Sequence, residues 1–295
     1  MTTYATLIQA RELAPHLGDA RWVVIDCRFD LADTGAGRRA WQAAHIPGAR
    51  YAHLDEDLSS AVRGDSGRHP LPNPVALAAR LGQWGIGNQG GDDAQVVAYD
   101  AGNSAYASRL WWLLRWLGHT DVAVLDGGFA AWQRAGLPVD SQTPALTPRR
   151  FVPHVDDTRW LSTAAVASSV ARDPLAGPPP AITLVDARGA DRFEGRNETL
   201  DPVAGRIPGA RNHPFAGNLD ADGRFLPAAE LRQRWGRTLG DTPASQVVSM
   251  CGSGVTACQN LLALETAGLS GARLYAGSWS EWIRDPSRPV ATGPG

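Results

Sequence analysis

Hydrophobic residues in this chain fall in short runs, at 23–25, 96–99, 122–125 and, around Ser249, 247–250, separated by longer stretches with helical spacing such as 104–117 and 256–267. A run of three or four apolar residues bounded by polar turns fits a strand buried on both faces, and the 3.6-residue spacing fits helices lying over it. Strands alternating with helices predict an α/β fold of mostly parallel sheets flanked by helices on both faces. Gly118 and Gly268 stand where two of the helices should end, free to take the left-handed conformation of a C-cap. Trp111, Trp112 and Trp116 lie within the first of these helices and read as packing residues.

The pattern occurs twice. Val23-Val24-Ile25-Asp26-Cys27-Arg28 answers to Thr183-Leu184-Val185-Asp186-Ala187-Arg188, and His45-Ile46-Pro47-Gly48-Ala49-Arg50 to Arg206-Ile207-Pro208-Gly209-Ala210-Arg211. Further along, Gln95-Val96-Val97-Ala98-Tyr99-Asp100 matches Gln246-Val247-Val248-Ser249-Met250-Cys251, and the segment from Leu125 to Trp132 matches that from Tyr275 to Trp282. Four matches in one order make a tandem duplication. The stretch 140–157 carries Pro144, Pro148 and Pro153 and reads as an extended linker, giving domains 1–149 and 150–295. A second proline-rich stretch, 173–180, reads as a surface loop.

Composition narrows the partners. With 295 residues and 43% hydrophobic content the chain can bury a core in each half, and its net charge of -2, with no basic run, argues against nucleic acid or an anionic membrane as partner. No apolar stretch reaches membrane-spanning length, and residues 1–20 lack the apolar core of a signal peptide. Three cysteines without paired spacing, and no CxxC or HExxH, predict neither a disulfide framework nor a metal site, and suggest a reducing, cytoplasmic setting. There is no lysine, so Schiff-base chemistry is excluded and every cationic role falls to arginine.

The chemistry concentrates where the apolar run 247–250 meets Cys251-Gly252-Ser253-Gly254-Val255-Thr256-Ala257, with helical spacing following at once. A strand ending in Cys and small residues before a helix sets a thiol among backbone N–H groups at a helix N-terminus, which favours the nucleophilic thiolate. The loop has no charged side chain. Cys258, seven residues on, lies about two helical turns away, too far for an unstrained disulfide with Cys251, and reads as core.

Cys-Gly-Ser-Gly-Val-Thr-Ala resembles the active-site loop of the rhodanese superfamily, and within it that of tandem-domain sulfurtransferases acting on 3-mercaptopyruvate. Relatives that use thiosulfate usually carry basic residues in this loop, where Gly252, Ser253 and Gly254 stand here. With the repeats, the resemblance covers nearly the whole chain and implies two rhodanese-like domains. Catalysis would pass through a persulfide on Cys251, cradled by the N–H groups of Gly252, Ser253, Gly254, Val255 and Thr256. Asp100 takes the place of Cys251 in the first half and cannot carry sulfur; with Ala101-Gly102-Asn103-Ser104 replacing the cradling loop, that half is expected to be silent.

The resemblance further implies Arg192 as the clamp on a donor carboxylate, with Arg196 as the candidate second arginine and Arg206 and Arg211 as rivals. It points to Ser253, with His69 and Asp55 from the silent half, as the proton source for the leaving enolate. No cofactor is implied; the partners would be a small-molecule sulfur donor and a thiol acceptor such as thioredoxin, or cyanide. Two other readings stay open, a thiosulfate:cyanide sulfurtransferase and a sulfur carrier without a small-molecule donor. A phosphatase with the related Cys-x5-Arg loop is excluded, because Ala257 occupies the arginine position.

Overall fold

The computed structural model describes residues 3–89, 93–170 and 182–294; the proline-rich stretch 173–180 lies outside them. The first sheet contains β1 (Leu7–Ile8), β2 (Trp22–Asp26), β3 (Arg50–Tyr51), β4 (Gln95–Tyr99) and β5 (Val122–Leu125), in the order β1-β5-β4-β2-β3. The second contains β6 (Trp160–Leu161), β7 (Thr183–Asp186), β8 (Arg211–Asn212), β9 (Val247–Met250) and β10 (Arg273–Tyr275), in the order β6-β10-β9-β7-β8. The two orders correspond strand for strand, and every ladder is parallel. Parallel neighbours need long crossovers, which the helices supply while covering the sheets. The edge strands are only two residues long, which leaves little unpaired backbone for unwanted pairing.

The repeated motifs have matching structural duties. In both Ile-Pro-Gly-Ala segments the Ala N–H donates to the Ile carbonyl, at 2.9 Å for Ala49 and 3.1 Å for Ala210, and the glycine has φ of +77°. Proline second and a positive-φ glycine third make a type II turn, which delivers the chain to β3 or β8 in the same register, Arg50 beside Ile25 and Arg211 beside Val185. Asp26 and Asp186 are fully buried and hold Arg28 and Arg188 through several N–H donors, the shortest at 2.6 and 2.8 Å. A buried aspartate needs such a partner.

The helices Ala107–Trp116 and Thr256–Thr266 follow the central strands β4 and β9. They end as their glycines predict. Gly118 and Gly268 have φ of +83° and +72°, and the next N–H reaches back to close the helix, His119 to Leu114 at 2.9 Å and Leu269 to Leu264 at 2.8 Å. All three tryptophans of the first helix are buried.

The two compact units are not contiguous halves of the chain. One comprises Met1–Ser60, Leu71–Asp156 and Leu219–Phe225; the other comprises Ala61–Pro70, Asp157–Asn218 and Leu226–Gly295. The two displaced segments carry related tripeptides, Gly67-Arg68-His69 and Gly223-Arg224-Phe225. Within the second unit, Gly67 N–H donates to Glu281 at 3.3 Å and Arg68 N–H to Ser280 Oγ at 3.1 Å. A Cβ on Gly67 would lie 2.7 Å from the Gly277 carbonyl oxygen, so only glycine admits this approach. Within the first unit, Phe225 N–H donates to Asp126 at 2.8 Å.

Candidate active site

Cys251 follows β9, where the apolar run ends and the chain turns into the helix Thr256–Thr266. Its Sγ accepts a hydrogen bond from Gly254 N–H at 3.1 Å, and its own N–H donates to Ser278 Oγ at 3.0 Å. The loop is clamped from its other side by Trp279 N–H on the Cys251 carbonyl, at 3.0 Å, and Ser280 N–H on that of Gly252, at 2.8 Å. Gly254 is required twice over: its φ is +77°, and a Cβ there would sit 2.4 Å from the Ala276 carbonyl oxygen. Ser278 itself has φ of +52°, a strained value for a serine, held by its hydroxyl bonding to the Tyr275 carbonyl and to Cys251 N–H.

His69 stands in this unit because Ala61–Pro70 belongs to it. Its Nδ1 lies 2.7 Å from Ser253 Oγ, and both side chains are buried. An imidazole bonded to a loop hydroxyl two residues from the thiol is a route for a proton to the reacting sulfur's neighbourhood.

Two guanidinium groups border the loop at Gly252. A Cβ built there would be 2.7 Å from Arg68 Nη2 and 3.6 Å from Arg192 Nη2, so the missing side chain gives both arginines room. Arg192 donates Nε and Nη2 to Glu198, at 2.8 to 3.0 Å, and Nη2 also to Asp201 at 3.1 Å. Arg68 Nη1 pairs with the other oxygen of Asp201. Burial pushes the Glu198 carboxyl up, but hydrogen bonds from Arg192 and from the Leu200 and Asp201 N–H groups outweigh it and hold the group below its ordinary value. For Asp201 burial prevails over its arginine partners and raises the carboxyl.

The rhodanese-like domain model matches this chain twice, at residues 9–135 and 169–285. The chain belongs to the rhodanese family. A Pseudomonas aeruginosa protein named "Probable 3-mercaptopyruvate sulfurtransferase" is 48% identical over 291 residues, covering 98% of this chain and 99% of that one. The thiosulfate/3-mercaptopyruvate sulfurtransferase 2 of Arabidopsis thaliana is 30% identical over 309 residues, covering 98% of this chain and 87% of the relative. Among solved structures, the 3-mercaptopyruvate sulfurtransferase of Leishmania major superposes with a TM-score of 0.79 at 32% identity, over 95% of this chain and 75% of that one. This rhodanese is a sulfurtransferase with the tandem architecture that the repeats imply.

Three arginines named from the rhodanese pattern are held by partners outside the loop. Arg196 is largely exposed, 63% for its side chain, and its Nε turns to Glu194 at 2.5 Å. Arg206 donates to the Gly293 and Pro294 carbonyls, the counterpart of His45 holding the Gln142 carbonyl, and Arg211 caps the Thr238 and Leu239 carbonyls. Asp55 lies in the first unit, where its N–H donates to the His53 ring at 3.2 Å and burial raises its carboxyl. Val255 is the buried N-cap of the helix, and Thr256 its first residue.

Arg68, Glu198 and Asp201 escape a reading of the sequence. Arg68 adjoins His69 in a motif that is legible, yet nothing in the sequence says which unit receives it. Of the remaining thiols, Cys258 Sγ donates to the Gly254 carbonyl at 3.3 Å inside the core, and burial followed by the nearby Asp26 pushes Cys27 well above the ordinary thiol range. Among the described residues there is no His, Cys, Asp or Glu cluster suited to a metal ion, and no helix long and apolar enough to cross a membrane.

Proposed function

We propose that this sulfurtransferase takes its sulfur from 3-mercaptopyruvate, stores it as a persulfide on Cys251 and passes it to a thiol such as thioredoxin, or to cyanide, in a reducing, cytoplasmic compartment. The observation that carries the reading is a buried thiol with an N–H donor on its sulfur and two guanidinium groups across Gly252 from it, in a loop with no charge of its own. The Cys251 thiolate attacks the donor sulfur, the carbon–sulfur bond breaks and its electron pair leaves on carbon as the enolate of pyruvate. Protonation of that carbon, by the proton released from the donor thiol or through Ser253 and His69, gives pyruvate and the persulfide anion. A thiol acceptor then takes the outer sulfur and restores the thiolate, so the cycle needs no external oxidant.

Arg192 and Arg68 supply the grip on the donor carboxylate, since a planar guanidinium offers paired N–H donors to a 2-oxo acid. His69 bonded to Ser253 supports the proton route, and Asp55 is proposed as the group that orients His69. The N–H groups of Gly252, Ser253, Val255 and Thr256 join that of Gly254 once the larger persulfide anion forms. Thiosulfate is the competing donor, because the Arabidopsis relative carries both donors in its name.

Steady-state rates with 3-mercaptopyruvate and with thiosulfate, using one acceptor, test the assignment. The expected preference for 3-mercaptopyruvate is at least about tenfold in kcat/KM, about 1.4 kcal/mol. Equal or reversed preference removes the donor assignment and leaves the fold intact.

A further inference from the structure

The arginines at the loop are the outer members of a row of alternating charges. Asp186 holds Arg188, whose Nη1 reaches Glu198 at 3.3 Å; Glu198 holds Arg192, and Asp201 bridges Arg192 to Arg68. Three cations meet three anions, so the row is formally neutral. Its anions are sealed, with Asp186, Glu198 and Asp201 side chains at most 2% exposed, whereas Arg192 and Arg68 keep 20% and 28% of theirs in reach. A donor therefore meets two N–H-rich faces whose charge is already compensated from behind.

We propose that Asp201 is a specificity-determining residue that tunes the loop to a singly charged donor and against a doubly charged one. Each arginine can still donate hydrogen bonds to one carboxylate, which a monoanion satisfies. A dianion brings a second charge that the compensated row does not balance, in a loop without a basic residue, while the neighbouring thiolate repels it. Removing the Asp201 charge leaves the row one positive charge in excess, facing the loop through Arg68 and Arg192, and that excess acts on the dianion twice as strongly as on the monoanion. Burial raises the Asp201 carboxyl, and the charge is opposed there even with Arg68 and Arg192 on its two oxygens. Placing a charge there at that cost fits a duty toward the ligand.

The inference rests on the donor reading above, and the test separates the two. In the full-length protein, kcat/KM is measured with 3-mercaptopyruvate and thiosulfate for wild type, Asp201→Asn and Asp201→Glu, with mass spectrometry of the Cys251 persulfide as the check that the loop still works. The expected result is a rise of at least about tenfold in the thiosulfate to 3-mercaptopyruvate ratio for Asp201→Asn, and a ratio within about threefold of wild type for Asp201→Glu. An unchanged ratio in an Asp201→Asn protein that still forms the persulfide overturns the inference. A wild type that turns over neither donor overturns the donor reading instead. If Asp201→Asn does not fold, wild-type Cys251 is alkylated with iodoacetamide in the presence of pyruvate or sulfate; protection by pyruvate at lower concentration supports the inference, and equal or better protection by sulfate overturns it.

Discussion

Asp100 and Cys251 occupy the same place in two copies of one design, and the difference between them lies less in the cradle than in what fills and surrounds it. Phe129 and Ala130 N–H groups hold the carbonyls of Asp100 and Ala101 just as Trp279 and Ser280 hold those of Cys251 and Gly252. The expectation that the first loop lacks a cradle needs correction: the Asp100 carboxylate accepts N–H donors from Gly102, Ser104, Tyr106 and Ala107 at 3.0 to 3.2 Å. Six residues separate Asp100 from the first residue of its helix and four separate Cys251 from its own, and the longer loop wraps the carboxylate completely. In the related tripeptide Phe225 stands where His69 does, so the Asp100 unit has no imidazole at that place. The Asp100 loop is thus an N–H cradle already filled by its own carboxylate.

The comparison is broken or upheld most strongly by moving the nucleophile. Cys251→Ser should abolish turnover and the single added sulfur seen by mass spectrometry, while Cys27→Ser and Cys258→Ser keep most of both. Adding Asp100→Cys to Cys251→Ser should leave turnover below about 1% of wild type, because N–H donors without Arg192 and His69 omit most of the electrostatic work. Substantial activity in that double variant would show the cradle to be sufficient.

The next effect concerns Arg192. Arg192→Ala should lower kcat/KM for 3-mercaptopyruvate by at least about tenfold, and Arg192→Lys should recover part of it, since an ammonium replaces the charge but not the paired donors. The alanine variant also takes from Glu198 its closest cation, leaving Arg188 at 3.3 Å, and should melt earlier, so circular dichroism at the assay temperature accompanies the kinetics. Near-normal kinetics in a folded Arg192→Ala protein would remove Arg192 from the donor grip.

His69→Ala should slow kcat by about tenfold and alter its pH profile, the lower end of what a positioned acid–base group contributes. Coincident profiles and rates would mean that the donor's own proton suffices. The smallest effect is on stability. Burial raises the Asp100 carboxyl against its four N–H donors, so its folded value lies above the unfolded one. Such a group contributes stability that is fully present below the unfolded value and lost as pH rises through the folded one. Denaturant titrations of wild type and Asp100→Ala should therefore show a stability difference that shifts in favour of wild type as pH falls from 7 toward 4. A difference independent of pH would mean that burial does not shift this carboxyl.

Much of this molecule follows from local rules that the sequence states by itself. Apolar runs fix strands, the Ile-Pro-Gly-Ala turn and the two C-cap glycines fix where the chain reverses, and their repetition fixes two sheets of like order. The Cys-Gly-Ser-Gly-Val-Thr loop announces a thiol chemistry because small residues, N–H groups and a helix start are encoded within six positions. What the sequence leaves open is which distant side chains meet that loop. Arg196, Arg206 and Arg211 look as eligible as Arg68 when only spacing is counted, since every arginine has the same charge and reach. Only the tertiary structure decides, by carrying Ala61–Pro70 into the second unit and by spending Arg206 and Arg211 on backbone carbonyls. Long-range partnership depends on chain topology and on competition for buried hydrogen bonds, and neither quantity is local to any stretch of residues.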